Sequence, residues 1–121
     1  MSEKQKLFIV DDSELNRDIL KEILGSSYDY LEAENGTQAI QILEVHPEID
    51  LMLLDINMPQ MNGFQVLEHM RELQWIDEVP VVMISSEESV EIMRKAYDLG
   101  ITDYISRPFD AVFVKKRVQN T

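Results

Sequence analysis

The chain has 121 residues, 45% of them apolar and 28% charged, with no cysteine and 23 acidic against 11 basic residues, a formal net charge of −12. A chain of this size buries roughly two-thirds of its unfolded surface, so residues 1–121 are expected to form one domain that needs neither disulfide nor structural metal. Thiol catalysis and thiolate zinc sites are excluded outright, the negative field repels nucleic acid and anionic lipid, and no apolar run approaches the ~20 residues of a membrane span.

The first apolar run, Leu7-Phe8-Ile9-Val10, is too short for a secretory signal and reads as a strand, so the cytoplasm is the expected compartment. Leu15, Ile19, Leu20, Ile23 and Leu24 then recur at helical spacing until Gly25, which stops the first helix. Tyr28 to Ala33 alternates weakly and is expected as an edge strand. Asn35-Gly36 reads as a turn, followed by a second helix carrying Ala39, Ile40, Ile42 and Leu43 and ended by Pro47.

Ile49 to Leu54 is almost entirely apolar, the pattern of a central strand covered on both faces, and it runs into Asp55. Pro59 and Gly63 bracket a loop, and Phe64, Leu67, Met70 and Leu73 mark a third helix. Val81 to Ile84 is a fourth strand and Glu87 to Leu99 a fourth helix, stopped by Gly100. Asp103 to Ser106 is a short fifth strand. Arg107-Pro108 turns into a last helix N-capped by Asp110, whose Ala111, Val114 and Val118 form a stripe toward the sheet while Val112 and Phe113 point away. Five strands strictly alternating with five helices imply right-handed crossovers and a doubly wound parallel sheet.

In a parallel sheet all strands end at one edge, so Asp11, Asp12, Asp55, Ser85 and Arg107 converge there. Three are carboxylates, and two such charges ~4 Å apart repel by about 4 kcal/mol at an effective dielectric of 20. A cation relieves that repulsion, and oxygen ligands without His or Cys favour Mg²⁺. Each residue alone has an ordinary structural explanation: an N-cap, a turn, a surface ion pair. Their coincidence at one edge is what points to a site.

These residues resemble the receiver domain of two-component response regulators over essentially the whole chain. Asp11-Asp12 after a strand looks like the family's acidic pair. Leu54-Asp55-Ile56-Asn57-Met58-Pro59 with Gly63 looks like its phosphoacceptor segment, Ser85 matches its hydroxyl position, and Tyr104 its aromatic switch. The resemblance implies a flavodoxin-like (CheY-like) sheet of strand order 2-1-3-4-5. It also implies phosphorylation of Asp55 by a sensor histidine kinase, and Mg²⁺ held by Asp11, Asp12, Asp55 and the backbone carbonyl of Asn57. Ser85 and Arg107 would contact the phosphoryl group, and Ser85 and Tyr104 would form the switch. An output domain or effector, or a second copy, would meet the face made by the fourth helix, fifth strand and fifth helix.

Two positions depart from the family. Arg107 stands where it has Lys, and a planar fork is not interchangeable with a compact ammonium. Ser86 stands where it has Ala or Gly. These departures motivate an alternative, a pseudo-receiver acting as a constitutive interaction module. A metal-dependent hydrolase with an aspartyl nucleophile would need an acid where Asn57 stands, and a flavin phosphate would be repelled by Asp11-Asp12. A receiver accepts its own phosphoryl group without being a turnover enzyme.

Overall fold

The computed structural model describes residues 4–58, 61–85, 90–107 and 109–120. Its strands are β1 (Gln5–Val10), β2 (Tyr28–Ala33), β3 (Leu51–Asp55), β4 (Val81–Ser85) and β5 (Asp103–Ser106). Its helices are α1 (Glu14–Leu24), α2 (Gly36–Val45), α3 (Gly63–Glu72), α4 (Val90–Asp98) and α5 (Ala111–Gln119), with a 3₁₀ turn at Trp75–Asp77. All strand pairs are parallel and the order is β2-β1-β3-β4-β5. This is the CheY-like flavodoxin fold expected above.

Strand alternation divides the core into two layers. Phe8, Val10, Met52, Leu54, Val81, Met83 and Tyr104 face α2, α3 and α4. Leu7, Ile9, Leu51, Leu53, Val82, Ile84 and Ile105 face α1 and α5, where Leu20, Leu24, Val114 and Val118 cover them. β3 and β4 are buried at every position, which is why their sequences show no alternation.

Several boundaries differ from the sequence reading. Asn35-Gly36 is not a free turn: Asn35 N-caps α2, its side chain accepting the Gln38 N–H at 2.8 Å. Gly36 begins that helix, and a Cβ there would lie 2.5 Å from the Met61 carbonyl oxygen. Ile49 is buried but precedes β3, since Asp50 instead links to Lys6 through backbone and side chain. Ala111 is exposed in the first turn of α5, so the buried stripe begins at Val114. Val112 and Phe113, which point away from the sheet, are exposed. Gly25 ends α1 at φ 83°, its N–H donating to the Lys21 carbonyl. Pro59, Ser86, Glu87 and Pro108 lie outside the described residues.

Candidate functional site

The carboxyl edge of the sheet assembles the acidic residues through register. β1 and β3 pair Val10 with Leu54, so the next residues, Asp11 and Asp55, stand side by side. Parity puts both on the α1/α5 side, following Leu7, Ile9 and Leu51, Leu53, and puts Arg107 on that side too, two residues beyond Ile105. Asp11 and Asp55 are completely buried, whereas Asp12 is exposed at the mouth. Oxygen atoms of the three carboxylates lie within 4.8 Å of one another.

Local hydrogen bonds fix the two buried acids. Asp11 Oδ1 accepts the Ser13 N–H at 2.9 Å, and Ser13 N-caps α1 by accepting the Asn16 N–H. Asp55 Oδ1 accepts the Asn57 N–H at 3.2 Å. The peptide of Asp11 is held on both sides: its N–H donates to the Ala33 carbonyl, and its own carbonyl accepts from Arg17, whose Nε pairs with Glu32 of β2 at 3.0 Å. Gly63 lets α3 approach this edge, because a Cβ there would lie 2.6 Å from the Asp55 carbonyl oxygen.

Arg107 closes the cup. Its Nη2 donates to Asp11 Oδ2 at 2.7 Å and lies 3.1 Å from Asp55 Oδ2. The second contact has ion-pair distance without hydrogen-bond alignment, so Asp55 Oδ2 and Arg107 Nε are buried with no hydrogen-bond partner. The Arg107 N–H donates to the Ser85 carbonyl at 3.0 Å, tying the arginine to the end of β4.

Electrostatics follow from this packing. Burial, then the charge of Asp11, push the Asp55 carboxyl from an ordinary 3.8 up to about 6, against the opposing pull of Arg107 and the Asn57 amide. Burial likewise raises Asp11, with the Ser13 amide and Arg107 acting the other way. A purely carboxylate donor set with a buried oxygen lacking a hydrogen bond suits a hard divalent cation, and Asp11, Asp12 and Asp55 are the residues that could hold it.

Ser85 is buried at the end of β4, one step past Ile84, the partner of Asp55. Tyr104 is buried on the same face as Ser85 by alternation, since it pairs with Met83. The structure thus brings Asp11, Asp12, Asp55 and Arg107 together, with Ser85 at the end of the neighbouring strand and Tyr104 two register positions behind it. Sequence reading missed Arg17. Its position five residues beyond Asp12, on the helix that the acidic pair introduces, is the one available signal.

Comparison with known proteins agrees with this geometry. The family model described as response regulator receiver domain matches residues 7–119. The chain is 33% identical over 116 residues to chemotaxis protein CheY1 of Helicobacter pylori, covering 94% of each. It is also 33% identical over 112 residues to a probable cyclic di-GMP phosphodiesterase of Vibrio cholerae, covering 93% of this chain but 25% of that one. Among solved structures, Vibrio cholerae chemotaxis protein CheY4 superposes with a TM-score of 0.88 at 26% identity, covering 98% of both chains.

Proposed function

The chain belongs to the response regulator receiver domain family, and from that premise we propose that it stores a phosphoryl group on Asp55, donated by the phosphohistidine of a sensor kinase. It is a signalling receiver in a two-component system, not a turnover enzyme. The observation that carries the phosphoacceptor role is Asp55 Oδ2: buried, without a hydrogen bond, and 3.1 Å from the Arg107 Nη2 that also holds Asp11.

Asp55 Oδ2 attacks phosphorus, an O–P bond forms, the P–N bond of the donor breaks, and its electron pair returns to the imidazole nitrogen. Burial has stripped the attacking oxygen of solvent, and Asn57 N–H orients its carboxyl group through the other oxygen. Arg107 supplies fixed positive charge within reach of the transferred group, and Ser85 supplies a hydroxyl. Asp11, Asp12, Asp55 and the Asn57 carbonyl would hold Mg²⁺, which when bound offsets the charge developing on the phosphoryl oxygens. Engagement of Ser85 shifts the end of β4; Tyr104, packed on the same face, relays that shift toward α4, and β5 carries it to α5 through Ile105 on the opposite face. The exposed Val90, Tyr97, Val112 and Phe113 on those helices offer a surface for an output domain, an effector or a second copy. The acidic chain has no helix, among the described residues, long and apolar enough to cross a membrane, and we place it in the cytoplasm with its kinase.

Incubation with acetyl phosphate and Mg²⁺ followed by intact mass measurement tests the assignment. Wild type gains one phosphoryl group and Asp55→Ala gains none. A second reading, a constitutive interaction module, is favoured by the guanidinium already seated on both buried acids. It prevails if wild type stays unmodified under conditions that label another receiver.

A further inference from the structure

Arg107 places a cation directly on the oxygens that a divalent ion would use. Asp11 Oδ1 accepts the Ser13 N–H and Oδ2 accepts from Arg107 Nη2, so the guanidinium and an incoming ion compete for Asp11 Oδ2. The same nitrogen lies 3.1 Å from Asp55 Oδ2. One arm of the fork therefore spans two carboxylates whose charges oppose each other, while the buried Nε finds no partner. A guanidinium seated at its best would use two nitrogens in parallel against one carboxylate. This one-armed seat neutralises the cup but leaves a donor unsatisfied, which makes it exchangeable.

We propose that Arg107 is a tethered counter-ion, clasping Asp11 to Asp55 until a divalent cation displaces it, and that it thereby sets the cation concentration at which the cup fills. The proposal rests on the reading of Asp11, Asp12 and Asp55 as a cation site. Displacement is an exchange of one positive charge for another at Asp11 Oδ2 and Asp55 Oδ2. The Arg107 backbone stays anchored through its N–H to the Ser85 carbonyl, so the released fork remains tethered within a side chain's length of the end of β4. Cation loading and release of the fork are then one event.

Isothermal titration of wild type and Arg107→Gln with MgCl₂ tests this without any phosphodonor. Arg107→Gln is expected to bind Mg²⁺ at least about fivefold more tightly, within the usual range of coupling between two ligands. Equal or weaker binding by Arg107→Gln, with wild type binding normally, overturns the clasp and leaves the cation site standing. No binding by either protein overturns the cation reading and the clasp with it. Wild type alone supplies a second measurement should the variant fail to fold. The Arg107 Nε–H resonance in a ¹⁵N spectrum is expected to be protected from exchange without Mg²⁺ and to lose that protection at saturation. An unchanged resonance at saturation overturns the proposal.

Discussion

Asp11 and Asp55 stand next to each other on neighbouring parallel strands, one register step past the Val10 and Leu54 pair, and both are fully buried. Adjacent strands are about 4.8 Å apart, so two carboxylates are held at close range where water cannot screen them. The fold pays an electrostatic cost to present them, and Arg107 offsets only part of it, as the upward shift of both carboxyls shows.

That cost is measurable as a pH dependence. Folding raises the Asp55 carboxyl from 3.8 to about 6, so the folded chain holds this proton more tightly than the unfolded one. Stability contributed by the protonated form is therefore present below pH 3.8 and is lost as pH rises through about 6. Asp11 acts in the same direction. In metal-free buffer, Asp55→Asn should be more stable than wild type at pH 8 by on the order of 1–3 kcal/mol, with the gap closing toward pH 4. Thermal denaturation across that pH series checks it. A less stable Asp55→Asn at pH 8 would show that the Arg107 pair outweighs burial.

Gly63 controls how closely α3 approaches the end of β3. An alanine Cβ would sit 2.6 Å from the Asp55 carbonyl oxygen and 2.9 Å from Ile56 Cα, both backbone atoms that cannot swing aside. Gly63→Ala should cost about 1–3 kcal/mol in urea unfolding and lower the yield of phosphorylated Asp55, since the strand end must retreat. Unchanged stability would mean that the capping box of Asn62 and Gln65 tolerates a shifted helix start.

Much of this site could be read before any coordinates, because parallel strands end at one edge and alternation assigns each side chain to a face. The sequence places Asp11, Asp55 and Arg107 at the carboxyl edge, and the structure, by putting all three on the α1/α5 face, brings them into contact. What Arg107 grips was not legible: its partner Asp11 is 96 positions away, and the choice between surface pairing and the cup depends on geometry three strands across. Asn35-Gly36 misled for a local reason, since the same dipeptide that favours a turn also supplies a capping side chain, and the outcome was decided by the packing of Gly36 against Met61. The 3₁₀ turn at Trp75 was equally hidden, entered through Gln74 at φ 64°, a conformation few non-glycine residues adopt.

Arg17 should act as a positioning residue for the acidic pair. It donates to the Asp11 carbonyl and is itself held by Glu32, which Lys21 also contacts at 3.0 Å. Arg17→Gln removes the clamp on the turn that presents Asp11 and Asp12, and Mg²⁺ affinity should fall about tenfold, as for other outer-shell supports of a metal site. Lys21→Gln, which removes surface ion pairs to Glu32 and Asp18 but leaves the Arg17 contact to the Asp11 carbonyl in place, should leave affinity within about twofold of wild type. Equal losses in both variants would locate the effect in overall charge instead of in the Asp11 carbonyl contact.

Trp75 gives a control for where the cation binds. It sits in the 3₁₀ turn before β4, its carbonyl accepting from the Val79 N–H, and therefore at the amino edge of the sheet. The cup lies at the carboxyl edge, and the five residues of β4 separate the two by about 16 Å at roughly 3.3 Å per residue. Mg²⁺ that displaces Arg107 rearranges side chains at the far end of buried strands, and close-packed interiors do not deform continuously over such a distance. Trp75 emission should accordingly change by less than about a tenth while calorimetry records full binding. A large change in Trp75 emission on the same titration would place either the ion or a rigid-body movement of β4 at the amino edge, and would contradict a cation held by Asp11, Asp12 and Asp55 alone.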